Sequence, residues 1–398
     1  MITNDKYTDM KKLLITLTLC LAALTCMAGK HYTVIVSLDG FRWDYPEWYD
    51  TPNLDTIAAK GVTSGLIPSF PSKTFPNHYT IATGLYPDHH GIVHNTFFDD
   101  VSNSFFSLAN MATKLDPHFY GGEPIWVTAR RQGVKTSVFY WPGSDVKVKG
   151  MYPDRYLVYD KEPRLTFGER VESVLSELRK PEGERPQLIM TYFEQPDAHG
   201  HHFGPHSKKT RQVVMQTDTL MGLLYRGIQQ LPFAADINLI IVSDHGMTWV
   251  DEGHQVPLKS RLKASWVKSI QGNVPAMIYA REGCADSIYQ ALRHIDYARV
   301  WKRSDVPAYL HYGTNPRIGD IVVCPDAGYL AQDSPVKGGG THGFDPTVQD
   351  MHALFRAVGP DFPHTTLPHF CNVDVYPLLC KLLDIIPAPN DGTVPAGL

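Results

Sequence analysis

The chain has 398 residues, 43% hydrophobic and 20% charged, which is enough apolar material for a large core and too much for a disordered tail. Its formal net charge is -4 and it contains no block of Lys or Arg, so a nucleic-acid polymer is not indicated as an electrostatic partner. Length alone admits two domains, or one large α/β domain with insertions.

Residues 1–29 read as an export signal. Lys11-Lys12 forms a short positive region, Leu13 to Leu24 is an apolar run too short for a comfortable bilayer span, and the small residues Ala28-Gly29 precede Lys30-His31. Because the charged pair follows Met10, translation is expected to start there, with Met1–Asp9 an overrun. An uncleaved anchor is the plain alternative. Cys20 and Cys26 invite a lipoprotein reading, but Thr25 is a poor match to the small residue that such processing favours. No later run is long and apolar enough to span a membrane, so residues 30–398 are expected to be exported, to the periplasm or beyond. Four cysteines remain in that part: Cys284, Cys324, Cys371 and Cys380. An exported protein can pair them, and Cys371 and Cys380 are the nearest two in sequence. Cys324, at the end of Ile321-Val322-Val323, equally suits a free buried thiol.

Along the chain, Tyr32 to Leu38 is a near-continuous β-branched run ending at Asp39-Gly40, the pattern of a strand buried on both faces. Thr51-Pro52-Asn53-Leu54 opens a helix expected to run to Lys60 and stop at Gly61. Ser72-Lys73-Thr74-Phe75 lies in the proline-rich stretch Pro68 to Pro76, ahead of a helix expected to begin near Asn77. Phe167–Arg179 and Ser207–Gln230 carry apolar residues at helical spacing. Gln187 to Phe193 is a further apolar strand leading into a loop that holds Asp197, and Asn238 to Ser243 is another, ending at Asp244-His245. Residues 253–331 have weaker periodicity and no candidate ligand, and are read as an insertion or cap before Gly338-Gly339-Gly340-Thr341-His342. Strands alternating with helices predict a largely parallel sheet flanked by helices. Candidate polar residues then fall just beyond strand carboxyl ends, where open parallel sheets gather their ligands.

Five separated blocks supply seven side chains able to hold metal: three Asp, three His and one Thr hydroxyl. Such a mixed N/O set suits Zn²⁺, and two such ions a few Å apart can clamp both oxygens of a phosphoryl displacement. Each block has a bland reading. Thr74 ahead of a helix is ordinarily a cap, although a helix N-terminus and a nearby cation would also favour its alkoxide as a nucleophile. Asp197 precedes His199, His201 and His202, all chemically able to bind metal, and spacing does not choose among them. Asp244 alone would be a turn residue capping a helix. Glycines around His342 let the backbone approach a site closely. Asn95 is either a turn residue or an amide donor to a phosphoryl oxygen. Recurrence of the blocks as a set is what favours the metal reading.

The most specific stretch is Phe70–Asn95, headed by Phe70-Pro71-Ser72-Lys73-Thr74-Phe75-Pro76-Asn77-His78 and closed by Gly91-Ile92-Val93-His94-Asn95. With Trp141–Asp145, Glu194–Asp197, Gly200-His201, Ser243–Met247, Thr341–Phe344 and Pro387–Asn390, it resembles the nucleotide pyrophosphatase/phosphodiesterase (type I phosphodiesterase) family of the alkaline phosphatase superfamily, over residues 32–389. That resemblance implies an alkaline-phosphatase-like α/β core and a catalytic domain over residues 30–398. It implies two zinc ions, one held by Asp39, Thr74, Asp244 and His245 and the other by Asp197, His201 and His342, His201 being selected because the family's His follows a Gly. It further implies Thr74 as nucleophile and Asn95 as a contact to the phosphoryl oxygen. Lys73, Phe75, Tyr159 and Asp145 would contact the substrate, with Phe75 and Tyr159 sandwiching a base and Asp145 at its edge. The substrate would be a small nucleotide phosphodiester or pyrophosphate.

Competing readings on the same scaffold are a phosphomonoesterase, a phosphonate hydrolase, a sulfatase or a phospholipid-type diesterase. No Cys-x-Pro-x-Arg element occurs at the nucleophile, which argues against the sulfatase. A zinc-binding protein without turnover would keep the ligands and lose the hydroxyl, whereas Thr74 is present.

Overall fold

Apolar runs without polar alternation demand partners on both faces, and here they become the middle of one sheet. The computed structural model describes residues 31–398, so the expected export signal lies outside the described residues. The main strands are β1 (Tyr32–Leu38), β2 (Val62–Ile67), β3 (Thr136–Phe139), β4 (Arg155–Leu157), β5 (Leu188–Phe193), β6 (Ile237–Val242) and β7 (Ala353–Val358). Their order is β2-β7-β6-β1-β5-β3-β4, with Thr365–Thr366 outside β2. β1 pairs in parallel with β5 on one side and β6 on the other. β7 runs antiparallel to both its neighbours. Alternation along β1 sends Ile35 into one core and Val34, Val36 and Leu38 into the other, so each face of the strand is covered.

Helices pack on both faces: α1 (Pro52–Ala58), α2 (Thr74–Thr83), α3 (Phe167–Leu178), α4 (Asp197–Phe203), α5 (Lys208–Gln229) and α6 (Val375–Leu382). Thr166 and Glu169 form a reciprocal capping box at the start of α3, and Ser207 caps α5. Two boundaries depart from the sequence reading. α2 begins at Thr74 rather than near Asn77, because Pro76 sits in the first turn, where its missing N–H has no intrahelical partner to lose. The expected loop at Asp197 is helical, closed by Gly200 N–H to Pro196 O at 2.9 Å and Gly204 N–H to Gly200 O at 2.8 Å.

Within residues 253–331 a separate four-stranded antiparallel sheet forms in the order Val267–Gln271, Ala276–Ala280, Ile321–Pro325, Ala298–Lys302. Its Met277, Tyr279 and Val322 share an apolar cluster with Phe70, Phe75 and Tyr79, so the segment rests against α2. All four described cysteines are free thiols, so the pairing open to an exported chain is not made, and Cys324 is the buried thiol its apolar run suggested. Cys380 is buried inside α6 while Cys371 lies in the short strand beside β2, and packing rather than a bridge holds those elements. Among the described residues no helix is long and apolar enough to cross a membrane.

Candidate active site

β6, β1 and β5 are neighbours, so the residues following them meet at one edge. Asp39 follows β1 directly, Asp244 follows β6 after Ser243, and Asp197 opens α4 after β5. The turns are tied together: Asp197 N–H donates to Asp39 O at 3.0 Å and Gly40 N–H donates to Asp244 Oδ1 at 3.2 Å. Gly40 has φ +66°, and a Cβ there would stand 2.9 Å from Asp197 Cα, so only glycine allows this approach. His342 arrives from far along the chain because the strand Lys337–Thr341 pairs antiparallel with Thr248–Glu252, the strand just past His245, with Thr341 opposite Thr248. Gly339 makes that docking possible, since a Cβ would lie 2.4 Å from His201 O.

The three imidazoles are oriented alike. His201 Nδ1 is 2.9 Å from Gly340 O, His245 Nδ1 is 2.9 Å from Gly246 O, and His342 Nδ1 is 2.7 Å from Ser72 O. A carbonyl only accepts, so each Nδ1 carries the hydrogen and each Nε2 faces the site, the arrangement in which outer partners fix a metal-binding histidine. His245 Nε2 is 3.1 Å from Asp244 Oδ2 and 3.4 Å from Asp39 Oδ1. His201 Nε2 is 3.4 Å from Asp197 Oδ1 and 3.1 Å from His342 Nε2. The sequence could not choose among His199, His201 and His202; only His201 turns inward, while His199 Nδ1 hydrogen-bonds Gln195 Oε1.

Each carboxylate keeps one oxygen without a hydrogen-bond partner among the described residues: Asp39 Oδ1, Asp197 Oδ1 and Asp244 Oδ2. Buried unpartnered carboxylate oxygens cost several kcal/mol unless something positive meets them. Burial, with the Asp244 and Asp197 charges beside it, pushes the Asp39 carboxyl well above its ordinary range. Burial would lower the His245 pKa, but the Asp244 carboxylate outweighs it and the imidazole is held above its ordinary value. Burial and neighbouring positive groups hold His342 well below, as a neutral ring with a free lone pair. Oxygen and nitrogen donors fall into two sets, Asp39, Asp244 and His245 in one and Asp197 and His342 in the other, with His245 between them and His201 at the open side. The residues present therefore fit divalent cations such as zinc.

Thr74 lies where these sets meet. Its Oγ1 is 3.2 Å from His245 Nε2, and Thr74 is the first residue of α2 with Lys73 at the N-cap, so the hydroxyl faces the site rather than capping its own helix. Asn95 Oδ1 accepts Phe75 N–H at 3.2 Å, which holds Asn95 beside the start of α2 and leaves its amide hydrogens to donate. Lys73 departs from the substrate contact expected of it. Its buried ammonium donates to His342 O at 2.7 Å and does not line the adjoining cleft, so it positions the His342 segment instead.

That cleft, about 240 Å³, opens from Asp39 and Thr74 between aromatic and aliphatic walls. Phe75, Tyr159 and Asp145, each anticipated, all line it, with Leu108, Trp141 and Leu157. Burial raises the Asp145 carboxyl, partly offset by the Lys114 ammonium. Lys114, Asp160 and Tyr192 are among the lining residues that escaped the sequence reading. Lys114 and Asp160 form an ion pair at the wall, and Tyr192 donates its hydroxyl to Asp39 Oδ2 at 2.5 Å.

A family model described as type I phosphodiesterase / nucleotide pyrophosphatase matches residues 33–345. The chain belongs to that family. Among type I phosphodiesterases it is 36% identical over 389 residues to ectonucleotide pyrophosphatase/phosphodiesterase family member 3 of Bos taurus, covering 90% of this chain and 43% of that protein. It is 35% identical over 391 residues to a venom phosphodiesterase of Macrovipera lebetinus, covering 94% of this chain and 46% of that one. The chain thus spans less than half the length of these curated relatives. Among solved structures, an inactive threonine-to-alanine variant of murine ectonucleotide pyrophosphatase / phosphodiesterase 5 in complex with AMP superposes with a TM-score of 0.86 at 33% identity, covering 91% of this chain and 97% of that one. The human counterpart gives 0.84 at 37% identity. The expected alkaline-phosphatase-like α/β core is the fold of this type I phosphodiesterase family member.

Proposed function

We propose that this chain is a two-zinc phosphodiesterase and nucleotide pyrophosphatase that cleaves phosphodiester or pyrophosphate bonds of nucleotides through a covalent phospho-threonine at Thr74, releasing a nucleoside monophosphate. The observation that carries this reading is the place of Thr74 Oγ1, 3.2 Å from His245 Nε2 at the rim of three carboxylates that each keep an unpartnered oxygen. One ion would be held by Asp39, Thr74, Asp244 and His245, the other by Asp197, His201 and His342. When bound, the pair would supply Lewis acidity at the threonine oxygen and at the departing oxygen.

The chain's own residues do the rest. Thr74 Oγ forms a bond to phosphorus as the bond to the leaving oxygen breaks, and water later cleaves the Oγ–P bond to restore the hydroxyl. Asn95, its Oδ1 occupied by Phe75 N–H, turns its amide donors toward a phosphoryl oxygen. Phe75 and Tyr159 flank the base in the cleft and Asp145 meets its edge. An inactive threonine-to-alanine relative recorded with AMP supports both the nucleophile and the product class. Residues 30–398 form the catalytic domain with 253–331 inserted, and the N-terminal signal together with ectoenzyme and venom relatives supports export, to the periplasm or outside the cell.

The aliphatic wall of Leu108 and Leu157 would also accept a phospholipid-type diester, whereas the Lys114–Asp160 pair and Asp145 favour a polar, hydrogen-bonding substituent. Hydrolysis of p-nitrophenyl thymidine-5′-monophosphate should exceed that of p-nitrophenyl phosphate, vanish with a chelator and return with zinc. A faster monoesterase rate, or a diesterase rate indifferent to chelation, would refute the reading.

A further inference from the structure

His78 is none of the seven candidate ligands, yet its imidazole touches Thr74, Asp244 and Ser37. It sits one turn beyond Thr74 on α2 and is completely buried. Its Nδ1 is 2.9 Å from Thr74 O and 3.3 Å from Asp244 Oδ2, and its Nε2 is 2.8 Å from Ser37 Oγ, two residues before Asp39. A carbonyl only accepts, so Nδ1 carries the hydrogen and gives it to Thr74 O, with Asp244 Oδ2 alongside at 3.3 Å, and Nε2 receives the Ser37 hydroxyl. The ring cannot swing away. Trp141 and Tyr192 pack edge-to-face on it at 5.3 and 5.0 Å, and Trp141 Nε1 donates to His78 O at 3.1 Å.

Asp244 Oδ2 is the oxygen of that carboxylate left without a full hydrogen bond, while Oδ1 receives Gly40 N–H and lies 3.3 Å from the Ser243 hydroxyl. Oδ2 therefore lies between His245 Nε2 at 3.1 Å, on the ion side, and His78 Nδ1 at 3.3 Å, and His78 is the neighbour that ties its tilt to the first turn of α2. We propose that His78 is a positioning residue: anchored by Ser37, it locks the Thr74 turn and the Asp244 carboxylate into one orientation, so that the threonine oxygen and Asp244 Oδ2 face the same cation. This rests on the two-cation reading above and adds a residue to it that contacts neither substrate nor ion.

Side-chain geometry supplies the test. In His78→Asn the amide N–H falls near the place of Nδ1, in His78→Gln the amide reaches toward Ser37 in place of Nε2, and His78→Leu fills space without any polar contact. Zinc affinity by competition with a chromophoric chelator, the visible spectrum of the Co²⁺-loaded protein, and kcat and KM on p-nitrophenyl thymidine-5′-monophosphate are measured for each. Leu and Gln should lose about 10- to 100-fold in kcat and in affinity for one of two ions, with KM within about twofold, whereas Asn should recover most of both, as expected for an outer partner of a ligand. Altered Co²⁺ bands in Leu and Gln, restored in Asn, would separate orientation from packing. Asn no better than Leu, or Leu retaining wild-type kcat and both ions, overturns the proposal. If Leu fails to fold, the contrast of Asn with Gln decides alone. Wild-type protein that binds no zinc would instead sink the two-cation reading itself, and this inference with it.

Discussion

Nε2 of His201 stands 3.1 Å from Nε2 of His342, while each ring gives its hydrogen at Nδ1 to a backbone carbonyl. Two lone pairs at that separation repel unless an electrophile lies between them. Asp197 Oδ1, at 3.4 and 3.6 Å from the two nitrogens, completes a pocket of negative potential. Because a ligand that binds only the folded state stabilises by RT ln(1 + [L]/Kd), zinc at a hundredfold excess over its Kd should add about 2.7 kcal/mol. Thermal melting should rise with zinc and fall with a chelator, and His342→Ala should bind one ion fewer by metal analysis. Melting curves that coincide with and without chelator would contradict this.

Thr74→Ala should remove the chemistry and spare the fold. No capping bond is lost, because the hydroxyl faces His245 and not its own helix, so stability should change by less than about 0.5 kcal/mol. The rate should fall by at least about 10³-fold, as when a nucleophile is deleted from a unit that acts together. Rapid quench with a radiolabelled diester should trap label on wild type and none on the variant. Substantial turnover by the variant, or label on another residue, would end the covalent route.

Much of this site was legible because its signals are local. Asp39 and Asp244 each end an apolar run of the kind an inner strand needs, and their convergence follows because the two strands are parallel neighbours. The helical start at Thr74 was misplaced because Pro76 reads as a breaker in sequence but is harmless in a first turn. Gly200 and Gly204 made α4 look like a loop, while packing against the strand Lys337–Thr341 held it helical. Lys73 was assigned to substrate only through the family resemblance, whereas its ammonium donates to His342 O. Lys114 and Asp160 are 46 residues apart without a motif, and only the folded cleft brings them together.

Lys73 and Phe75 should therefore separate kinetically. Phe75 lines the cleft, and base-aromatic stacking is worth about 1–3 kcal/mol, so Phe75→Ala should raise KM by roughly 5- to 150-fold with a smaller change in kcat. Lys73→Met keeps the unbranched apolar stem of the buried side chain and removes the ammonium with its bond to His342 O. It should weaken zinc binding and lower kcat while leaving KM nearly unchanged. Initial rates at saturating and limiting zinc would resolve the two, and a KM effect from Lys73→Met would return Lys73 to the substrate.

Acid stability should depend on a histidine remote from the ligands. Burial pushes the His90 imidazole down to about 3 from its ordinary 6.5. Its Nδ1 accepts Ile92 N–H at 3.1 Å and its Nε2 hydrogen points to Pro76 O at 3.2 Å and Thr80 Oγ1 at 3.1 Å, so a second proton would have to displace the Ile92 bond. The folded pKa lies below the unfolded one, so between about 3 and 6.5 the unfolded chain binds more protons. Stability from this group is then complete above pH 6.5 and declines as pH falls toward 3. By pH 4.5 the loss should be on the order of 3 kcal/mol. His90→Gln should show a shallower decline, measured as urea unfolding free energies at pH 7 and pH 4.5 with chelator present throughout so that ligand protonation is common to both proteins. Parallel declines for wild type and variant would mean that His90 is already protonated in the fold, and that the Ile92 contact does not hold its nitrogen bare.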